Sequence, residues 1–511
     1  MSLTAYLDKG ASLGRDAPCL VTDDLTLSYG DVVDHSHSVA RALARSGVGA
    51  GDKVGILSGN DPVAFATVFG IARRGAVWCP INPRNTAGEN AELLDLFDCV
   101  CLFYRSPYAG LVEEMKPHLP QVRAFVCIDA VDGDTPSLEQ WIVSGEDFDP
   151  TPPDETILIV GTGGTTGRPK GVQLTDRNIE TMSALTLMGY PFEGRPVYLA
   201  MAPLTHAAGV LCFPVMALGG QVVVMSKPDL EEFLRLVPAY GVTHTFLPPT
   251  LIYMLLAHEK LAATDLSSLQ CFWYGAAPMS PARLEQALTA VGPVMAQLFG
   301  QSEAPMMVSM MAPKDHFNRD GTIATQRLAS AGRPGPLVTV GIMDGAGTLM
   351  EQGGRGEIVV RSSLVMAGYY KDPQATAEAS AHGWHHTGDI GFLDEDGFLF
   401  VVDRAKDMII TGGFNVYSAE VEQALMAHPA VRDCGVIGLP DDKWGERVVA
   451  VLQLQPGVEA DPATITAFVK ARIGSVKTPK QVEIWPDLPR STVGKILKTD
   501  IKARLRGEVQ G

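Results

Sequence analysis

The sequence predicts an α/β protein of more than one domain: a large N-terminal part of layered α/β subdomains, a β-rich subdomain after it, and a small α+β C-terminal domain. Three observations predict this. At 511 residues the chain exceeds what a single compact core holds. Helix-like and strand-like segments alternate from residue 29 to about 105 and again after 190, the rhythm of layered α/β architecture. Beyond residue 355 the text turns to short alternating strands joined by tight turns, and a last stretch of about a hundred residues is long enough for one small domain.

In chain order, "YGDVVDHSHSVARALARSG" reads as helix, "DKVGILSG" as strand, "PVAFATVFGIARRG" as helix, "AVWCPIN" as strand, "AELLDLFD" as helix and "CVCLFY" as strand. The rhythm resumes with "PVYLAMAPL", "QVVVM", "LEEFLRLVPAYG", "THTFLPP" and "LQCFWYG". The strands "GEIVVRS" and "GFLFVVDR" come next, with the turn "DEDG" between them. The last α/β segment runs through "SAEVEQALMAHPAV", "DCGVIGLP", "RVVAVLQLQ", "PATITAFVKARI" and "KQVEIWPDLP". A junction is placed near "VVDRAKD", where strand text ends in a cluster of charge. No repeat of fixed period and no low-complexity tract interrupts this order.

The formal charge of -17 argues against a general nucleic-acid binder, because phosphate backbones are held by surplus lysine and arginine. The longest apolar run, "GVLCFPVMALGG", is too short to cross a bilayer and is broken by Gly and Pro. The start, "MSLTAYLDKGASLGRD", lacks the basic flank and apolar block of a secretory signal. The eight cysteines are scattered without zinc-like pairing, which is simplest to reconcile with a reducing cytoplasm.

Residues 161 to 171, "GTGGTTGRPKG", hold five glycines, three threonines, an arginine and a lysine between the strand-like "ETILIV" and "GVQLT". The GxxxxGK[ST] phosphate loop does not fit, because Lys170 is followed by Gly171 and no helix starts there. A strand, loop, strand layout still presents successive backbone N–H groups to a polyanion, with hydroxyls from Thr162, Thr165 and Thr166 and charge from Arg168 or Lys170. A mobile surface hairpin is the plain alternative for such a loop read alone.

Six further strings stand downstream of this loop: "PLTHAAG" (203–209), "YGAAPMS" (274–280), "LFGQSE" (298–303), "GWHHTGD" (383–389), "DRAKDMIITGGFNVYSAEVE" (403–422) and "LPRSTVGKILK" (488–498). Taken with the loop, and in this order, they resemble the signature of the adenylate-forming superfamily of acyl-CoA synthetases, peptide-synthetase adenylation domains and firefly luciferase. The resemblance covers nearly the whole chain and implies an AMP-forming acid–thiol ligase: a carboxylate attacks the α-phosphate of ATP, giving acyl-adenylate and pyrophosphate, and a thiol then displaces AMP. It also implies an N-terminal domain of residues 1–404 and a mobile C-terminal domain of residues 405–511.

By this resemblance Lys495 bridges the substrate carboxylate and the α-phosphate, Glu303 holds Mg²⁺, and Ser302 faces phosphate. Thr162, Gly163, Gly164, Thr165, Thr166, Gly167 and Lys170 cradle the ATP phosphates. Gly275, Ala276, Ala277, Pro278 and Phe299, with Gly300 and Gln301, frame the AMP portion, while Asp389 takes the ribose hydroxyls beside Arg404. His206 is the gate between acyl pocket and thiol channel. Lys406 is the hinge about which the small domain turns, bringing Gly412, Gly413 and Phe414 to a pantetheine tunnel. Read without the family, Lys495 is a solvated lysine, Asp389 a turn residue, Arg404 half of a surface ion pair and His206 a core histidine.

The chain departs from the family at several points. Glycine stands at 161 and 163 where an aromatic and a serine are common, Ser302 replaces threonine, and Phe414 and Ser418 replace the glutamate and proline of the "GGENVYP" form. The acyl-pocket walls implied are His206, Ala207, Ala208, Phe246, Gly275, Gly300 and Met306, small or apolar residues that favour a hydrophobic monocarboxylate, since a second charge would lack a partner. A medium- or long-chain fatty acid is favoured, with an aryl or alicyclic acid as the alternative. Coenzyme A is the expected acceptor, because the chain ends soon after Lys495 without an appended carrier domain. The competing readings are an enzyme that loads a separate carrier protein and a nucleotide-binding regulator without catalysis. A homodimer is left open.

Overall fold

The computed structural model describes residues 2–142, 156–162, 169–204, 207–490 and 496–507, with the side chains of residues 207, 208, 406 and 415 outside the description. Among these residues the chain forms four sheets. A seven-stranded sheet has the order Gly368–Tyr369, Lys170–Thr175, Thr156–Thr162, Val77–Ile81, Lys53–Leu57, Cys99–Tyr104, Ala124–Cys127. Its inner strands run parallel, and helices such as Pro62–Arg73 and Ala87–Leu96 connect them. A nine-stranded sheet includes Val197–Ala200, His244–Leu247, Cys271–Tyr274, Met295–Gln301 and Ala304–Met311.

Local chemistry starts the helices, both Tyr29–Arg45, which the alternating text predicts, and Asp176–Gly189, which it does not. Ser28 and Asp31 close a capping box at the head of helix Tyr29–Arg45, and Thr175 and Asn178 do the same for helix Asp176–Gly189 directly after its strand. One apolar core lies between the two large sheets: it joins Ile56, Trp78, Leu158 and Val172 of the first to Tyr198, Phe246, Trp273 and Leu298 of the second. The apolar run noted in the sequence is helix Ala207–Ala217, which carries Pro214 inside it and buries Phe213 and Met216. No helix among the described residues is long and apolar enough to cross a membrane. All eight cysteines are buried and free.

The β-rich part is an antiparallel four-stranded sheet, Thr339–Met343, Gly356–Arg361, His385–Leu393 and Leu399–Arg404. It begins at Thr339 rather than beyond 355; its first strand is short and half-exposed, and so lacks an apolar run long enough to announce it. After Arg404 a single turn, Ala405–Asp407, leads into a five-stranded sheet built from Ile409–Thr411, Phe414–Val416, Val431–Asp441, Gly445–Leu454 and Gln481–Ile484. This last sheet has its own core, including Val421, Leu425, Val436, Val448 and Val469.

Candidate active site

The glycine-rich loop is carried by an antiparallel hairpin. Thr162 pairs with Lys170 and Gly161 with Gly171 at its mouth, as the strand, loop, strand reading requires. Gly163, Gly164, Thr165, Thr166, Gly167 and Arg168 lie outside the described residues, as do His206 and Lys495. Three functional assignments of the sequence therefore have no structural counterpart here: most of the phosphate cradle, the gate, and the bridging lysine.

What the described residues do bring together is Lys170 and Glu303. Glu303 sits at the turn between antiparallel strands Met295–Gln301 and Ala304–Met311, where Gln301 pairs with Ala304. The short strand Gly368–Tyr369 pairs with Lys170–Thr175, Tyr369 opposite Val172. Tyr369 spans the gap: its hydroxyl donates to Glu303 Oε1 at 2.8 Å, and Lys170 Nζ lies 4.8 Å from its ring centroid. Met366 N–H also donates to the Glu303 carbonyl at 2.7 Å. Gly368 makes this strand possible, because its φ of +153° is open to glycine and a Cβ there would lie 2.8 Å from Thr376 Cγ2.

Gln301 and His385 extend the cluster, with the amide Nε2 donating to His385 Nε2 at 3.1 Å. Burial pushes the His385 imidazole down, against the opposing pull of the Glu303 charge, so the ring is a neutral acceptor. His385, Thr387 and Asp389 alternate into the interior along strand His385–Leu393, the imidazole at its start and the Asp389 carboxylate four residues on. At the far end Asp389 is buried and forms an ion pair with Arg404 Nε at 2.7 Å, its partner in the strand register. Asp389 is thus a strand residue, not a turn residue, and Arg404 is half of an ion pair whose other member is buried.

The segments expected to frame the adenine and the acyl group are packed tightly. A Cβ on Gly275 would lie 2.3 Å from the Leu298 carbonyl oxygen, and one on Gly300 2.4 Å from the Met306 amide nitrogen. Ala276 and Met306 adopt φ of +65° and +64°, strained for residues with a side chain, and both fall in segments assigned to the site. Ala276 and Pro278 are exposed and Ala277 half-buried, on the loop after strand Cys271–Tyr274. Phe299 packs against Ile342, Ile358 and Leu399, tying the hairpin to the four-stranded sheet, while Ser302 is half-buried at its turn. Phe246 and Met306 are buried in the main core. Ala207 and Ala208 begin helix Ala207–Ala217, their side chains outside the description.

In the small domain, Gly412 and Gly413 form the turn between Ile409–Thr411 and Phe414–Val416. Phe414 is 60% exposed and no atom lies within 4 Å of a Cβ placed on Gly413, so this turn faces solvent in the orientation described. Lys406 falls in the connecting turn.

Two neighbours of the site escaped the sequence reading. Tyr369 was hidden in "GYYKDP", an ordinary strand end, and His385 in "GWHHTGD", where attention goes to the aspartate. The available signal was a polar aromatic and an imidazole beside motif residues.

Comparison with known proteins places this arrangement. The AMP-binding enzyme profile matches residues 7–370, and that of the AMP-binding enzyme C-terminal domain matches residues 420–495. The chain belongs to the AMP-binding enzyme family. Within that family it is 36% identical to the medium/long-chain-fatty-acid–CoA ligase FadD8 of Mycobacterium tuberculosis, with 96% of this chain and 88% of that protein covered. It is 35% identical to a feruloyl-CoA synthase of an Amycolatopsis species, with 94% of each chain covered. The amide bond synthetase McbA of Marinactinospora thermotolerans has the same family architecture, with a TM-score of 0.89 at 27% identity over 98% of this chain and 99% of that one.

Proposed function

We propose that this enzyme joins a hydrophobic monocarboxylic acid to coenzyme A, activating it as an acyl-adenylate at the expense of ATP and releasing AMP and pyrophosphate. The observation that carries the reading is the contact of Lys170 and Glu303 through Tyr369, at the mouth of a glycine-rich hairpin inside an AMP-binding fold. A cation and a carboxylate held near one another, each without a direct salt bridge to the other, suit a triphosphate and its counter-ion.

The donor set fits magnesium, which takes one or two carboxylates and completes its shell with phosphate oxygens and water. Glu303 is the residue that would hold it, and the ion would neutralise charge on the phosphates as they react. Lys170 and the Thr162 hydroxyl face the phosphates from the hairpin, and Ser302 and Gln301 do so from the facing turn. Asp389 receives the ribose hydroxyls, with Arg404 turning from its carboxylate to the nucleotide. Lys495 orients the acid's carboxylate for attack and stabilises the charge that develops on the α-phosphate. The end of one sheet at Arg404 and the turn Ala405–Asp407 after it support a domain boundary after Arg404 with Lys406 as the hinge. Rotation about it carries Lys495 away and brings Gly412, Gly413 and Phe414 to the thiol, with His206 gating the passage.

The acid is read as a medium- or long-chain fatty acid, on the apolar character of Phe246 and Met306 and the small Gly275 and Gly300. Burial of each CH₂ contributes about 0.8 kcal/mol, whereas a second charge there would be unpartnered. The nearly equal identity to the fatty-acid and feruloyl relatives supports an aryl acid as the second reading. A panel of alkyl, aryl and dicarboxylic acids assayed for AMP release with coenzyme A tests this. Absence of ATP–pyrophosphate exchange with every acid overturns the reading, and turnover only with a carrier protein reassigns the acceptor.

A further inference from the structure

We infer that Tyr369 is a positioning residue for adenylation, one that holds Glu303 in the metal-binding orientation while keeping Lys170 from neutralising it. The inference rests on the proposed function above. An ammonium and a carboxylate in the same cleft attract each other, and a direct ion pair between them would have to be broken before a magnesium-bound triphosphate could enter. Tyr369 is placed to prevent this. Its hydroxyl gives Glu303 Oε1 a neutral donor at 2.8 Å, and its ring face gives the Lys170 ammonium a neutral partner 4.8 Å away. Both charges are held in place and neither is cancelled.

The tyrosine is itself fixed. Its backbone is paired with Val172, and its N–H donates to Thr376 Oγ1 at 2.9 Å, which anchors the Cα from which the ring projects. The hydroxyl's single proton is directed at Glu303 Oε1. The second Glu303 oxygen is left to a cation.

Tyr369→Phe keeps the ring and removes the donor, and Tyr370→Phe is the control, since Tyr370 makes an equivalent bond at 2.8 Å to a different carboxylate, Asp98. Binding of ATP is measured by calorimetry across a Mg²⁺ titration, alongside pyrophosphate exchange and thioester formation from supplied acyl-adenylate. Tyr369→Phe is expected to raise the Mg²⁺ concentration needed for half-maximal ATP binding and to slow exchange, each about tenfold, the usual loss for one hydrogen bond to a charged group. Thioester formation and the melting temperature stay near wild type, and Tyr370→Phe leaves the Mg²⁺ dependence unchanged. An unchanged Mg²⁺ dependence in Tyr369→Phe, equal loss in both half-reactions, or the same shift in Tyr370→Phe overturns the inference. Wild-type protein that shows no exchange with any acid instead removes the functional reading beneath it.

Discussion

Ser418 and Asp403 clasp each other across the turn that joins the two parts of the chain. The Ser418 backbone N–H and hydroxyl both donate to the buried Asp403 carboxylate, the hydroxyl at 2.7 Å from Oδ2. Lys498 Nζ donates to the same hydroxyl at 2.6 Å and pairs with Glu422 at 2.8 Å. Asp403 is the last residue but one of the four-stranded sheet, and Lys498 opens the helix just beyond the Lys495 segment. Serine stands here where the family form has proline, which has no N–H to give.

The clasp gives a first prediction. Ser418→Ala keeps the N–H but removes the hydroxyl that links Asp403 to Lys498, at a cost of about 2 kcal/mol for a buried bond to charged groups. Hydrogen exchange of the helix Ser418–Met426 is expected to show that loss of protection, while exchange in the seven-stranded sheet stays as in wild type. Unaltered protection of the helix would mean the hydroxyl contributes nothing there.

Lys495→Ala separates the half-reactions. The substitution is expected to lower acyl-adenylate formation by at least roughly a hundredfold, the order of loss for a group that stabilises developing charge, and to leave thioester formation from supplied acyl-adenylate near wild type. Matching losses in the two assays would contradict the division of labour between lysine and tunnel.

The Gly412–Gly413 turn makes the opposite prediction. Gly413 has φ of +80°, so any side chain is strained there, and Gly413→Ala reports that strain without bulk. Gly413→Trp is expected to slow thiolation well beyond Gly413→Ala while pyrophosphate exchange persists in both. Equal thiolation rates in the two variants would place the turn outside the pantetheine path.

Three histidines, His244 and His316 buried and His35 half-buried, predict how stability responds to acid. Burial pushes His35, His244 and His316 down to about 4. His316 is satisfied as a neutral ring, with Nδ1–H donating to the Ala312 carbonyl at 3.1 Å and Nε2 accepting from the Tyr274 hydroxyl at 2.9 Å. The unfolded chain takes up these protons near pH 6.5 and the folded chain only near 4, so stability is full above 6.5 and falls as pH drops through that window. Each histidine accounts for about 2 kcal/mol between roughly pH 7.5 and 5. Thermal melts of wild type and His316→Gln across this range check it: the variant is less stable at neutral pH but has the shallower dependence. Parallel curves would show that His316 is not among the groups responsible.

The sequence by itself determined the layered architecture, the hairpin around "GTGGTTGRPKG" and the family, because each is written in local text: periodicity along a strand or helix, a capping residue, or a short motif whose parts are neighbours in the chain. What only the tertiary structure decided is who touches whom at the site. Tyr369 reaches Glu303 across 66 residues, Gln301 reaches His385 across 84, and Ser418 reaches Asp403 around the interdomain turn. These contacts depend on which strands pair, in what register, and which side chains that register turns to a shared face. A one-residue slip in the pairing of Gly368–Tyr369 with Lys170–Thr175 would turn Tyr369 away from Glu303 while leaving every motif intact, so no reading of local text can supply the contact.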